Sequence, residues 1–180
     1  MNIFALSSSP IDSAQMMCDK HVVKMIIETA QLLSTAHRVL DGSSYIDKTG
    51  KRSIKRWDHF FDLKFPDRPL YKATHINHPS AIWARQTNNN YNWLFCHFET
   101  LCKEYTHRYK KIHATEKKLL DILRGLPHNI PTGALMPIPQ AMPEQYKQAS
   151  TIEAYRAYYK GEKAKFAKWT NREIPYWWEN

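Results

Sequence analysis

The stretch Met17-Cys-Asp-Lys-His-Val-Val-Lys-Met-Ile-Ile-Glu-Thr-Ala-Gln-Leu-Leu-Ser-Thr-Ala-His-Arg-Val-Leu-Asp-Gly42 decides the fold class. Met17, Val22, Met25, Ile26, Leu32, Leu33 and Val39 recur at steps of three and four, the period of a helix with one buried face. Upstream, Ser7-Ser-Ser-Pro-Ile-Asp12 reads as a turn and a helix start. Pro10 suits an early helical position, and Asp12 or Ser13 can cap. Asp41-Gly42 is a stop signal. One long helix is therefore expected from this start to Leu40, preceded by a short apolar opening at Asn2 to Leu6.

Working outward, residues 43–70 are the least regular part. Ser43-Ser44, Thr49-Gly50, Pro66 and Pro69 punctuate them, and the stretch reads mainly as a long surface loop. Loops of that length in compact domains are often functional. A second long helical region follows Pro79 and runs to about Lys111, with the weak helix run Asn88-Asn-Asn-Tyr-Asn92 marking a kink or break. Thr115 to Arg124 reads as a short amphipathic helix, stopped by Gly125 and Pro127. Five prolines between residues 126 and 144 exclude a continuous helix there. Ser150-Thr-Ile-Glu153 has capping-box spacing and opens a last helix to about Phe166. The tail Ile174-Pro-Tyr-Trp-Trp178 is expected to pack back on the body. The expected fold is all-α: a compact single-domain helical bundle with long irregular loops, spanning residues 1–180.

Composition narrows the partners. Lys and Arg outnumber Asp and Glu by 26 to 17, for a net charge of +9. That excess favours a polyanion, and double-stranded DNA is the expected partner. No apolar run approaches the roughly 20 residues needed to span a bilayer. No signal-peptide pattern opens the chain. Three cysteines (Cys18, Cys96, Cys102) form no disulfide framework, so a reduced, cytoplasmic setting is expected. A monomer is the simplest expectation.

Three groups of residues are able to carry chemistry. His21, Lys24, Glu28 and Gln31 are spaced by three, four and three, which aligns them on one helix face. Lys24 and Glu28 form either an exposed ion pair or, if partly buried, an amine beside an acid/base group suited to imine chemistry. Arg38 extends the polar surface of the same helix. The second group is Tyr71-Lys-Ala-Thr-His75-Ile-Asn77-His78-Pro79-Ser80, followed by Trp83 and Arg85. Pro79 leads a loop into a helix N-terminus, a natural phosphate site, and His75, Asn77 and His78 would surround it. The basic cluster Lys51, Arg52, Lys55, Arg56 and Trp57 adds phosphate and base contacts. The third, Glu99, Glu104, Tyr105 and Arg108, reads as structural, with Glu104 and Arg108 a favourable i,i+4 pair. No metal is expected: Cys18 with His21, and Cys96 with His97 and Cys102, lack the paired spacings of a structural zinc site. No cofactor motif is present, neither a phosphate-binding Gly-rich loop nor a Gly-flanked serine.

These residues carry a resemblance. Met1-Asn-Ile-Phe-Ala-Leu6, the helix with Glu28-Thr29 ending in His37-Arg-Val-Leu-Asp-Gly42, the Asn77-His-Pro79 element and Leu101-Cys-Lys-Glu-Tyr-Thr-His-Arg108 resemble the endonuclease-V-type pyrimidine-dimer DNA glycosylases of phages and bacteria. The resemblance covers about residues 1 to 110. It implies a compact helical fold and an enzyme that flips a nucleotide and cleaves its glycosidic bond, with or without abasic-site lyase activity. It also implies an N-terminal α-amine as nucleophile and a first-helix Glu as essential carboxylate, which maps onto Glu28. Asn at position 2 disfavours removal of Met1. Three options stay open: the Met1 amine serves, Lys24 substitutes, or the lyase step is absent. His21 would tune the carboxylate, and Trp83 would hold the extruded base or fill its gap. Two other readings compete: a non-catalytic nucleic-acid-binding accessory protein, and a nuclease or base-modifying enzyme using His21, His75 and His78.

Overall fold

A computed structural model describes residues 1–178, with Thr49 described by its backbone alone. Among the described residues the elements run α1 (Pro10–Gln15), α2 (Asp19–Asp41), β1 (Ser43–Thr49), β2 (Arg52–Asp58), α3 (Phe60–Lys64), α4 (Pro79–Ala84), α5 (Asn88–Tyr109), α6 (Ala114–Leu123) and α7 (Thr151–Lys163). Two short 3-10 turns flank α7. The protein is mostly helical, as the apolar periodicity dictates.

The expected first helix is two helices. Ser9 caps α1, its side chain accepting the Asp12 N–H, and the chain breaks at Met16 before α2 begins after Cys18. Ser13 is buried instead, its hydroxyl bridging Leu6 N–H and Phe4 C=O. The long region after Pro79 also divides, at Arg85 to Thr87. The Asn-rich run is the first turn of α5, where Thr87 caps Asn90 N–H.

Residues 43–58 correct the loop reading: they form a two-stranded antiparallel hairpin, with Ser43 opposite Asp58 and Thr49 opposite Arg52. Gly50 turns it at φ 61°, a conformation that glycine adopts without steric cost. Most hairpin side chains are exposed. No buried face therefore imposes the apolar alternation by which a strand is read from sequence. Gly42 lets α2 run straight into this hairpin, because a Cβ there would collide with Arg38 O and lie 2.7 Å from Asp58 O.

α2 is the central element, packed on α4, α5 and α6, while α1 packs on α5. One core cluster joins Ile3 to Leu6, both long helices, Leu119 to Leu123, Tyr155, Tyr159 and Trp177. The tail does pack back. Asp19 N–H donates to Lys168 O at 2.8 Å, Trp169 Nε1–H donates to Met16 O at 2.9 Å, and Trp177 is buried. The residues after α7 thus cover the start of α2.

Candidate active site

α2 buries three sides and leaves one stripe open. Lys24 and Ile27 are exposed on it, with Glu28 and Gln31 half-buried beside them. The N-terminal segment runs across this stripe. Phe4 takes φ 52°, an uncommon conformation for a side-chain-bearing residue, and from that bend the chain reaches Glu28. Asn2 N–H donates to Glu28 Oε2 at 3.2 Å. Lys24 Nζ stands 3.3 Å from the other oxygen, Oε1. One carboxylate therefore holds the nitrogen of residue 2 and an exposed ammonium, one on each oxygen.

The loop before α4 closes the same corner. His78 caps α4 with its own ring, Nδ1 accepting Ser80 N–H at 3.2 Å. Burial lowers the His78 pKa, and the nearby Met1 ammonium and His75 push the same way, against an opposing pull from Glu28. His78 is thus neutral at neutral pH, with its proton on Nε2. His75 sits at φ 47° with Nδ1 2.7 Å from Thr74 Oγ1, and both His75 and Asn77 are exposed. Residues Ala73 to His78 face Ile54 to Trp57 of β2 across an open cleft of about 620 Å³. Lys55 and Arg56 line it, with Lys55 Nζ 5.2 Å from the centre of the Trp57 ring. The fold thus joins two groups that are distant in the sequence into one basic, aromatic cleft. His78, which lines the cleft, also lies in the electrostatic neighbourhood of the Met1 ammonium and of Glu28.

The sequence matches the pyrimidine dimer DNA glycosylase family over residues 1–117. The chain belongs to that family. Membership makes DNA the substrate and glycosidic cleavage at a pyrimidine dimer the class of reaction. The match ends inside α6, so α7 and the tail lie outside the matched region. Neither a curated protein nor a solved structure matches the chain.

Within this glycosylase several residues singled out from sequence lie away from the cleft. His21 shares the stripe of Lys24 and Glu28 by spacing, but α7 and the turn after it roof that part of the helix. Its ring packs 4.7 Å from Phe4 and 4.9 Å from Tyr159. Burial, reinforced by Lys163 and Lys24, lowers its pKa to about 3. Arg38 is 5% exposed and uses all five donors internally. Nε bonds Tyr71 O, the two terminal nitrogens take both Asp62 oxygens, and the remaining donors reach Trp57 O and Leu70 O. It pins the hairpin to α2, and no donor remains for a phosphate. Trp83 is core, 3% exposed, with Nε1–H on Met136 O. Arg85 is half-buried and ties the loop by bonding Ile76 O and Ala81 O. Lys51 and Arg52 stand exposed at the hairpin tip. Asn2 was not visible as a site residue in the sequence; only the bend at Phe4 delivers its nitrogen to Glu28.

Two further polar clusters are structural. Glu104 and Arg108 are buried, and Arg108 also bonds Gln15 O, Met17 O and Asp19. Arg172 reaches Glu104 as well, so the pair locks α5 to the α1–α2 junction and the tail. At the far end of α2, one donor atom each of His37, Asp41 and His59 lies within 4.8 Å of the others. The His59 Nδ1 lone pair already accepts Phe61 N–H at 3.2 Å, which puts the ring proton on Nε2. A metal there would have to displace that proton and break the cap of α3.

Proposed function

We propose that this glycosylase attacks the damaged nucleotide with the α-amine at the head of its chain, and that Glu28 is the carboxylate serving that amine. The contact that carries this reading is Asn2 N to Glu28 Oε2, 3.2 Å. It fixes the first residues of the chain on a half-buried carboxylate whose charge is felt by His78, a residue of the basic cleft. Removal of Met1 would make the seated nitrogen itself the free amine. Retention leaves the amine one residue upstream, in the electrostatic neighbourhood of His78.

The proposed sequence starts with the duplex gripped by the exposed hairpin cations, Lys51, Arg52 and Lys55, and by Arg56. A nucleotide leaves the stack so that its sugar can reach the amine. The amine forms a bond to the sugar C1′ as the glycosidic bond breaks and the base departs with the bonding electrons. Glu28 stabilises the positive charge that develops on the sugar and takes the proton lost by the amine. Glu28 returns that proton to O4′ as the C1′–O4′ bond breaks, and the product is a protonated imine of the ring-opened sugar. Loss of a C2′ proton then expels the 3′ phosphate and cuts the strand. Lys24 is 65% exposed in its side chain and paired with Glu28, so its part is to orient the carboxylate.

Borohydride reduction during reaction with dimer-containing and abasic duplexes tests this. The expected result is a covalent protein–DNA adduct, with the label on the N-terminal peptide by mass spectrometry. Lys24→Ala should still form it, and reductive methylation restricted to the α-amine should abolish it. An adduct on Lys24, or none with any duplex, would sink the amine assignment.

A further inference from the structure

The N-terminal segment is held in place by residues beyond the region that matches the family. The Asn2 side chain bonds to its own neighbour and to residues far along the chain. Nδ2–H donates to Ala141 O at 2.7 Å, and Oδ1 accepts from Ile3 N–H at 2.8 Å. The Tyr155 hydroxyl, on α7, lies 2.6 Å from the same Oδ1 and 2.7 Å from Pro139 O. It also accepts Ala141 N–H at 3.4 Å. Tyr155 is fully buried, and burial pushes its ionisation well up, so it remains a donor. α7 grips the next residues too: Arg156 Nε–H donates to Leu6 O at 3.0 Å, and Phe4 stacks on Tyr158 at 5.8 Å. The matched region ends at residue 117, so every one of these α7 and 139–141 partners lies beyond it.

We infer that Tyr155 is a positioning residue for catalysis: through the Asn2 side chain, it and the Pro139–Ala141 segment set the N-terminal nitrogen against Glu28. This rests on the amine reading above. The physical reason is the weakness of a chain end. Burial anchors Ile3 to Leu6, but Met1 and Asn2 beyond them are only half-buried, and a chain end of that kind frays without a partner. Asn2 is gripped on its donor side by Ala141 and on its acceptor side by Tyr155. Rotation of the terminal residue about its backbone is blocked, and the nitrogen is kept on the carboxylate. Misplacement of a reacting group by about 1 Å can cost on the order of a hundredfold in rate. Within this protein, residues beyond the matched region thus complete a site that lies inside it.

A double-mutant cycle on the single-turnover rate of borohydride trapping with an abasic duplex tests the inference. The variants are Tyr155→Phe, Asn2→Leu and the double. Leu matches the outline of Asn but makes no hydrogen bond, and it is no better than Asn for removal of Met1; mass spectrometry of the N-terminus checks this. Each single change should slow trapping roughly ten- to hundredfold, with the affinity for duplex unchanged. The double should be no slower than the slower single, because both remove one coupling. Tyr155→Phe trapping at the wild-type rate, or effects that multiply in the double, would overturn the inference while leaving the amine reading intact. Wild-type protein that traps nothing would overturn the amine reading, and this inference with it.

Discussion

The backbone nitrogen of Asn2 and the carboxylate of Glu28 meet at 3.2 Å across 26 residues of sequence, and Lys24 occupies the other carboxylate oxygen at 3.3 Å. Both oxygens of Glu28 are thus engaged by nitrogen groups of opposite fates, one leading to the chain end and one fully part of α2. Chemistry at this corner depends on the negative charge between them.

Glu28→Gln removes that charge and keeps the shape. Glycosidic cleavage of a dimer-containing duplex, read as alkali-labile strand breaks, is expected to fall by about 10²–10⁴-fold, the usual range for a missing acid–base group. Duplex affinity, measured by fluorescence anisotropy, should change less than twofold. Unaltered cleavage would remove Glu28 from the chemistry, and no cleavage by the wild type either would favour the reading of a non-catalytic accessory protein.

Replacing Lys51, Arg52 and Lys55 together by Ala tests the hairpin. These side chains are exposed and far from Glu28 in sequence. Each cation withdrawn from a DNA phosphate lowers the slope of log affinity against log salt by about 0.9. A fall of about 2 to 3 in slope is expected, with the rate at saturating DNA preserved. A slope equal to that of wild type would remove the hairpin from the DNA interface.

Arg38→Ala separates a structural from a DNA-binding role. Arg38 and Asp62 have side-chain exposures of 6% and 27%. Removing the guanidinium leaves Asp62 unpaired and three carbonyls without their donor. Denaturant unfolding should show stability reduced by about 3 kcal/mol. At temperatures where the variant is folded, its salt slope should match wild type. A reduced slope with normal stability would instead make Arg38 a phosphate ligand.

Acid should destabilise the fold through its buried histidines. Burial lowers the pKa of His21 to about 3, and those of His37 and His97 to about 4. The unfolded chain, with histidine near 6.5, takes up protons first as pH falls. Stability is therefore fully present above pH ~6.5 and declines as pH drops toward ~4, by on the order of 1.4 kcal/mol per pH unit for each such group. Thermal unfolding followed by circular dichroism should show Tm falling steadily below pH ~6.5. A flat Tm from pH 7 to 4.5 would mean that these rings are not buried in solution.

Much of this was legible in the residues. The three- and four-residue apolar steps of α2 and the capping spacing at Ser150 required helices, because burial of one helical face leaves that period in any sequence. The net charge of +9 pointed to a polyanion, and the motifs around Glu28 and Asn77-His-Pro79 pointed to the family. The hairpin escaped because strands exposed on both faces leave no such trace, although Thr49-Gly50 marked its turn. The sequence likewise could not separate Lys24 from His21, or Lys55 from Arg38. Spacing fixes the face on which a side chain starts, but not what later covers that face. α7 roofs His21, and Asp62 with three carbonyls consumes Arg38. Asn2 shows the limit most clearly. Its nitrogen reaches Glu28 through a positive-φ bend at Phe4 and a grip from Tyr155, 153 residues away. Such long-range hydrogen bonds exist only once the chain has closed on itself, so local pattern determined the helices and tertiary packing alone assembled the site.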